Sequence, residues 1–130
     1  MKSTSILPQN SKILQIIVEK YDFVFCHIKG ADILAEDGNY IGKKEFIEKI
    51  DKSIKPFLEL KDMMIVVTAD HSTSSVLKKH TANNVPVLIY GKDKNGIEKF
   101  SEKLCSQGTL GMINQLDLMG KIISFTRKEV

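Results

Sequence analysis

Apolar and polar residues alternate along this chain with two periods. Ile13, Leu14, Ile16, Ile17 and Val18 predict the apolar face of a helix with Ser11 as its N-cap and its end at about Lys20. Tyr21-Asp22 turns the chain, and Phe23-Val24-Phe25-Cys26-His27-Ile28 follows as a short β-prone run. Its nearly continuous apolar character predicts a strand covered on both faces. From Lys43 to Leu58 the pattern returns to helical spacing, with Phe46, Ile47, Ile50, Ile54, Phe57 and Leu58 inward and Pro56 marking the end. Met63 to Thr68 predicts a second strand, parallel to the first in a βαβ unit with a right-handed crossover. Val85 to Tyr90 predicts a third, at an edge or irregular at its start because Pro86 lacks an amide donor. Ile97 to Ser106, with Phe100 and Leu104 inward, and Met112 to Phe125 predict two more helices.

The predicted class is α/β, a mostly parallel sheet flanked by helices. The 130 residues suffice for one compact domain. Residues 1–10 are polar, contain Pro8 and are expected to fray, leaving 11–130 as the folded part. A formal net charge of +3, with both signs spread along the chain, gives no basic stripe for nucleic acid. No apolar run reaches membrane-spanning length, and residues 1–10 carry no signal-peptide pattern. Cys26 and Cys105, without a CxxC, read as reduced core thiols of a cytoplasmic protein.

The candidate chemistry sits where the two predicted parallel strands end. Ile65 to Thr68 runs into Asp70 and His71, an oxygen and a nitrogen donor suited to a borderline divalent cation. His80, beyond a loop rich in Ser, Thr and Lys, is a third donor. On spacing alone the commoner reading is that Asp70 caps the following turn and His71 is a surface histidine. After the first strand, the stretch from Lys29 to Gly42 holds three glycines and three acids. Asp32 and Glu36 are four apart, so one turn of helix points both carboxylates the same way. Otherwise Asp37-Gly38 is a plain turn and the acids are solvated. In a parallel sheet, both loops follow the carboxyl ends of neighbouring strands, so Asp32, Glu36, Asp70 and His71 are expected to face one crevice. Lys29, with His27, lies near that crevice, as a holder of substrate phosphate or as a structural or solvated residue. Ser72, beside His71, is better read as a loop hydrogen-bonding residue than as a nucleophile.

Three runs carry a family resemblance: YDFVFCHIKGADILAEDGNYIGKKEFIEKID from Tyr21 to Asp51, VVTADHSTSSVLKKHTANNVPVLIYG from Val66 to Gly91, and GTLGMINQLDLMGKII near the end. In order and spacing they resemble the archaeal-type cofactor-independent phosphoglycerate mutases of the alkaline phosphatase superfamily. The resemblance implies a three-layer α/β core and two divalent metals, manganese, zinc or magnesium, with no bisphosphoglycerate. It implies interconversion of 3-phosphoglycerate and 2-phosphoglycerate in glycolysis and gluconeogenesis. By position, Asp32 and His80 match ligands of one metal, and Asp70 and His71 match ligands of the other. Glu36 stands where the family usually has a histidine. A carboxylate there adds negative charge and harder ligand character, which favours manganese or magnesium. The family's nucleophilic serine lies well upstream and has no match here, so no catalytic residue is assigned. The chain is expected to be the C-terminal, metal-binding part of a longer enzyme, inactive by itself. A non-catalytic metal-binding remnant, or another phosphotransferase or phosphatase of the superfamily, is the alternative. A sheet that continues upstream would leave an open edge here, so self-association through that edge is expected.

Overall fold

A computed structural model describes residues 17–91 and 95–126. The frayed start expected for residues 1–10 and the beginning of the first helix fall outside these; residues 17–20 are helical. The chain divides into two compact units. One takes the residues up to Lys61 together with Thr73–Thr81, the other Asp62–Ser72 together with the residues from Ala82 onward.

The first unit is built on a pair of helices, α1 (Gly30–Glu36) and α2 (Tyr40–Ile54). The turn between them is fixed by three consecutive residues. Asp37 caps the end of α1, and Gly38 takes φ +75, the left-handed conformation that a side chain disfavours. The Gly38 amide then donates to the Ala35 carbonyl at 3.0 Å, and the Asn39 amide to Leu34 at 2.9 Å. That pair of bonds is a Schellman ending, which satisfies two carbonyls the helix would otherwise leave open. Asn39 at once starts the next helix, its Oδ1 accepting from the Gly42 amide at 2.9 Å. Gly30 lets the start of α1 approach α2 closely: a Cβ there would lie 2.3 Å from the Phe46 ring. After α2, Pro56 sits at the start of a 3-10 turn, Lys55–Glu59, where its missing amide costs no helical bond. Ala35 and Phe57 are the buried apolar residues of the described chain, and Thr73 is its buried polar residue.

Strands β2 (Ser72–Ser74) and β3 (Lys79–Thr81) pair as a two-stranded sheet. With only residues 75–78 between them they must run antiparallel. The connection is pinned by Ser74, whose Oγ accepts from the Leu77 amide at 3.1 Å, and by Lys78, which takes φ +53.

In the second unit, β1 (Ile65–Val67) pairs antiparallel with β4 (Leu88–Tyr90), with Ile65 opposite Tyr90 and Val67 opposite Leu88. Pro86 lies before β4 and serves only as an acceptor, taking the Thr68 hydroxyl at 3.1 Å. The chain continues through α3 (Glu102–Cys105), a 3-10 turn at Gln115–Asp117, and α4 (Leu118–Thr126).

Several expectations are corrected. The mostly parallel sheet is not found among the described residues, which form only two small antiparallel ladders. β1 pairs instead with β4, which residues 68–87 bring back antiparallel to it. Phe23–Ile28 joins no strand. Val24, Cys26 and Ile28 are half-buried while Phe23, Phe25 and His27 are exposed, so the run is covered on one side rather than two. The helix expected from Lys43 starts at Tyr40, because Asn39 caps it, and leaves Ile47 and Leu58 exposed. The helix expected over Ile97–Ser106 shrinks to Glu102–Cys105, started by the Ser101 hydroxyl, and Phe100 is exposed. Cys26 and Cys105, expected in the core, are free thiols that are only partly buried.

Candidate metal centre

The loop expected between Lys29 and Gly42 contains a true helix, and that settles the direction of its acids. Asp32 lies in the first turn of α1 and Glu36 is its last residue, so the i,i+4 spacing puts both carboxylates on one face. Like charges so placed cost a few tenths of a kcal/mol, roughly 0.2–0.5, unless a positive group offsets them. His80, from β3, lies beside both. Its Nε2 lies 3.5 Å from Asp32 Oδ1 and 3.5 Å from Glu36 Oε1.

These two separations are long for nitrogen–oxygen hydrogen bonds. They match the spacing of adjacent ligands around a tetrahedral divalent ion, about 3.4 Å for bonds near 2.1 Å. His80 Nε2 thus stands at ligand-to-ligand spacing from one oxygen of each carboxylate. The donor types fit zinc or manganese, and the two hard oxygens also fit magnesium. Asp32 is the sheltered member, its side chain 18% exposed against 50% for Glu36 and 54% for His80. The arrangement is therefore anchored at Asp32 and open toward solvent at the other two donors.

Asp32 is held from a further direction. The Thr73 hydroxyl, on β2, donates to its Oδ1 at 2.6 Å, and the Thr73 carbonyl accepts from Lys43 Nζ at 2.8 Å. Sequence reading passed over Thr73 and Lys43. The available signal was alternation: within Ser72–Ser74 the middle residue faces opposite to its neighbours, and it is the β-branched one.

In the second unit Asp70 and His71 form a pair of their own. His71 Nε2 lies 3.5 Å from Asp70 Oδ2, and the His71 amide donates to Asp70 Oδ1 at 3.1 Å. Asp70 is exposed and His71 partly covered. Asp70 thus holds the backbone of the next residue, as the capping alternative anticipates, and still presents its second oxygen beside an imidazole. Lys29 occupies the N-cap position of α1 and is exposed; its carbonyl accepts from the Asp32 and Ile33 amides. No helix among the described residues is long and apolar enough to cross a membrane.

Known proteins share this arrangement of sequence. The chain is 40% identical over 129 residues to the 2,3-bisphosphoglycerate-independent phosphoglycerate mutase of Pyrobaculum aerophilum, covering 95% of this chain and 31% of that protein. It is 44% identical over 109 residues to the protein of the same name from Methanoculleus marisnigri, covering 82% of this chain and 26% of that one. The chain therefore spans about a third of the length of these relatives. Among solved structures, the PH0037 protein of Pyrococcus horikoshii matches 92% of this chain and 38% of its own, with a TM-score of 0.83 at 28% identity. The profile of the Metalloenzyme superfamily matches residues 3–124. With nearly the whole sequence inside that match, the chain belongs to the Metalloenzyme superfamily, whose fold is alkaline phosphatase-like.

Proposed function

We propose that this chain is the metal-holding part of a cofactor-independent phosphoglycerate mutase, an enzyme that interconverts 3-phosphoglycerate and 2-phosphoglycerate with two divalent cations. The observation that carries the reading is that His80 Nε2 lies 3.5 Å from a carboxylate oxygen of Asp32 and 3.5 Å from one of Glu36. The similarity to named phosphoglycerate mutases supports the substrate class.

Asp32, Glu36 and His80 are the proposed ligands of one cation. Asp70 and His71 are proposed to contribute to the other. When bound, such cations lower the pKa of an attacking hydroxyl and offset charge on the transferring phosphoryl oxygens. The chain's own residues do preparatory work. Asp32 and Glu36 concentrate negative charge on one helix face, where a cation is attracted. His80 supplies a neutral nitrogen that limits the total charge. Asp70, through the His71 amide, fixes the backbone from which the His71 ring projects. Lys29, exposed at the start of α1, is proposed as a weak attractor for the substrate's phosphate. The phosphoryl-accepting serine is assigned to sequence outside this chain, so the isolated chain is proposed to bind metal without turnover.

Two measurements test this. Manganese titration of the chain should show saturable binding, which Asp32→Asn weakens beyond the roughly 10–100-fold typical of losing an outer partner. A coupled mutase assay of the same chain with manganese should show no conversion of 3-phosphoglycerate. Robust conversion would refute the assignment of the nucleophile to sequence elsewhere. Absence of metal binding would refute the site.

A further inference from the structure

We propose that Thr73, itself held by Lys43, is a positioning residue that fixes the Asp32 carboxylate for cation binding. This rests on the reading of Asp32, Glu36 and His80 as ligands. Thr73 is 6% exposed, and a hydroxyl withdrawn from water is costly unless it is hydrogen-bonded. Valine has nearly the same shape and no such cost, so packing alone does not call for threonine here. The hydroxyl has one proton to give, and gives it to Asp32 Oδ1 at 2.6 Å, within the range of a charge-assisted O–H···O⁻ bond. Its branched Cβ restricts χ1 and keeps the hydroxyl aimed.

The recipient is the same oxygen that stands 3.5 Å from His80 Nε2. β2 and β3 are paired, so Thr73 and His80 approach one carboxylate oxygen from adjacent strands. The other end of the contact is fixed as well. Lys43 reaches from α2 to donate to the Thr73 carbonyl at 2.8 Å, in a partly buried bond. Lys43 therefore holds the strand, the strand's hydroxyl holds Asp32, and Asp32 is set in register with Glu36 and His80. Partners of this kind orient a ligand and raise its affinity without touching the metal.

The test is manganese binding to the full 130-residue chain, read by the electron paramagnetic resonance signal of free Mn²⁺, with melting of the metal-free chain as a second readout. Thr73→Val should weaken manganese binding by about 10–100-fold, and Thr73→Ser, which keeps the hydroxyl, should stay within a few-fold of the parent. A Thr73→Val chain that melts lower yet binds manganese as tightly as the parent, while Asp32→Asn does not, would overturn the positioning role alone. Parent-like binding by Asp32→Asn would overturn the ligand reading and this inference with it. Should Thr73→Val fail to fold, Lys43→Met carries the test, since it frees the carbonyl and leaves the hydroxyl in place. A several-fold loss of affinity there supports the chain of contacts, and unchanged affinity contradicts it.

Discussion

In the proposed centre, metal preference would turn on Glu36. As a ligand beside Asp32, its carboxylate would make the proposed donor set richer in hard oxygen than a site with two imidazoles. Glu36→His is therefore expected to favour zinc over manganese, measured as the ratio of the two affinities; a ratio that does not move would show that Glu36 lies outside the coordination shell. Its candidacy was legible in the sequence because the spacing from Asp32 is four residues. For Thr73, alternation within β2 could mark the side chain as facing inward but not its partner, since the hydroxyl reaches a helix forty-one positions earlier. Cys26 gives a second prediction at this scale. Burial pushes its thiol above the ordinary range. A group whose folded-state pKa is raised contributes stability below its unfolded value and loses it as pH rises through the folded one. The melting temperature should accordingly fall above about pH 8.5 more steeply for the parent than for Cys26→Ala. Parallel curves would mean that the thiol is as well solvated in the folded chain as in the unfolded one.

The turn from α1 to α2 is the element that aims the site, because it decides where the carboxylate-bearing face of α1 stops. Gly38→Ala should destabilise the chain by about 1–2 kcal/mol from its left-handed backbone alone. The new Cβ would also meet Lys78 Cε at 2.4 Å, although that side chain can swing aside. Asn39→Ala should cost about 1 kcal/mol through the lost cap. Both are read by chemical denaturation, and an unchanged midpoint in either would remove the turn from the account. Asp37-Gly38 was recognisable as a turn from sequence, and the amphipathic pattern of α2 was recognisable as a helix. What sequence reading could not supply was strand direction. Apolar runs such as Ile65–Val67 look alike whether their partner runs parallel or antiparallel, and the β2–β3 pairing of a Ser- and Lys-rich stretch carries no apolar alternation to betray it.

At the scale of the whole chain, large apolar side chains remain uncovered. Val76 is 89% exposed, Leu116 90% and Met112 82%, and among the described residues Ala35, Phe57 and Thr73 are the buried ones. The chain spans 31% of the length of its Pyrobaculum aerophilum relative, and its short ladders leave strand edges unpaired. Exposed apolar surface and open edges favour association. Sedimentation velocity should show concentration-dependent oligomers, and a single monomeric species across the accessible range would contradict that expectation. The family was legible because three long runs, from Tyr21 to Asp51, from Val66 to Gly91 and near the end, follow its order and spacing. The parallel architecture expected of that family was not reproduced by the ladders of the described residues.

The central claim is that one cation is held by donors from α1 and β3. Anomalous diffraction from a crystal soaked in manganese addresses it most directly. The account predicts an anomalous peak about 2.1 Å from oxygens of Asp32 and Glu36 and from Nε2 of His80. A fully soaked crystal with no peak beside those three residues would contradict it.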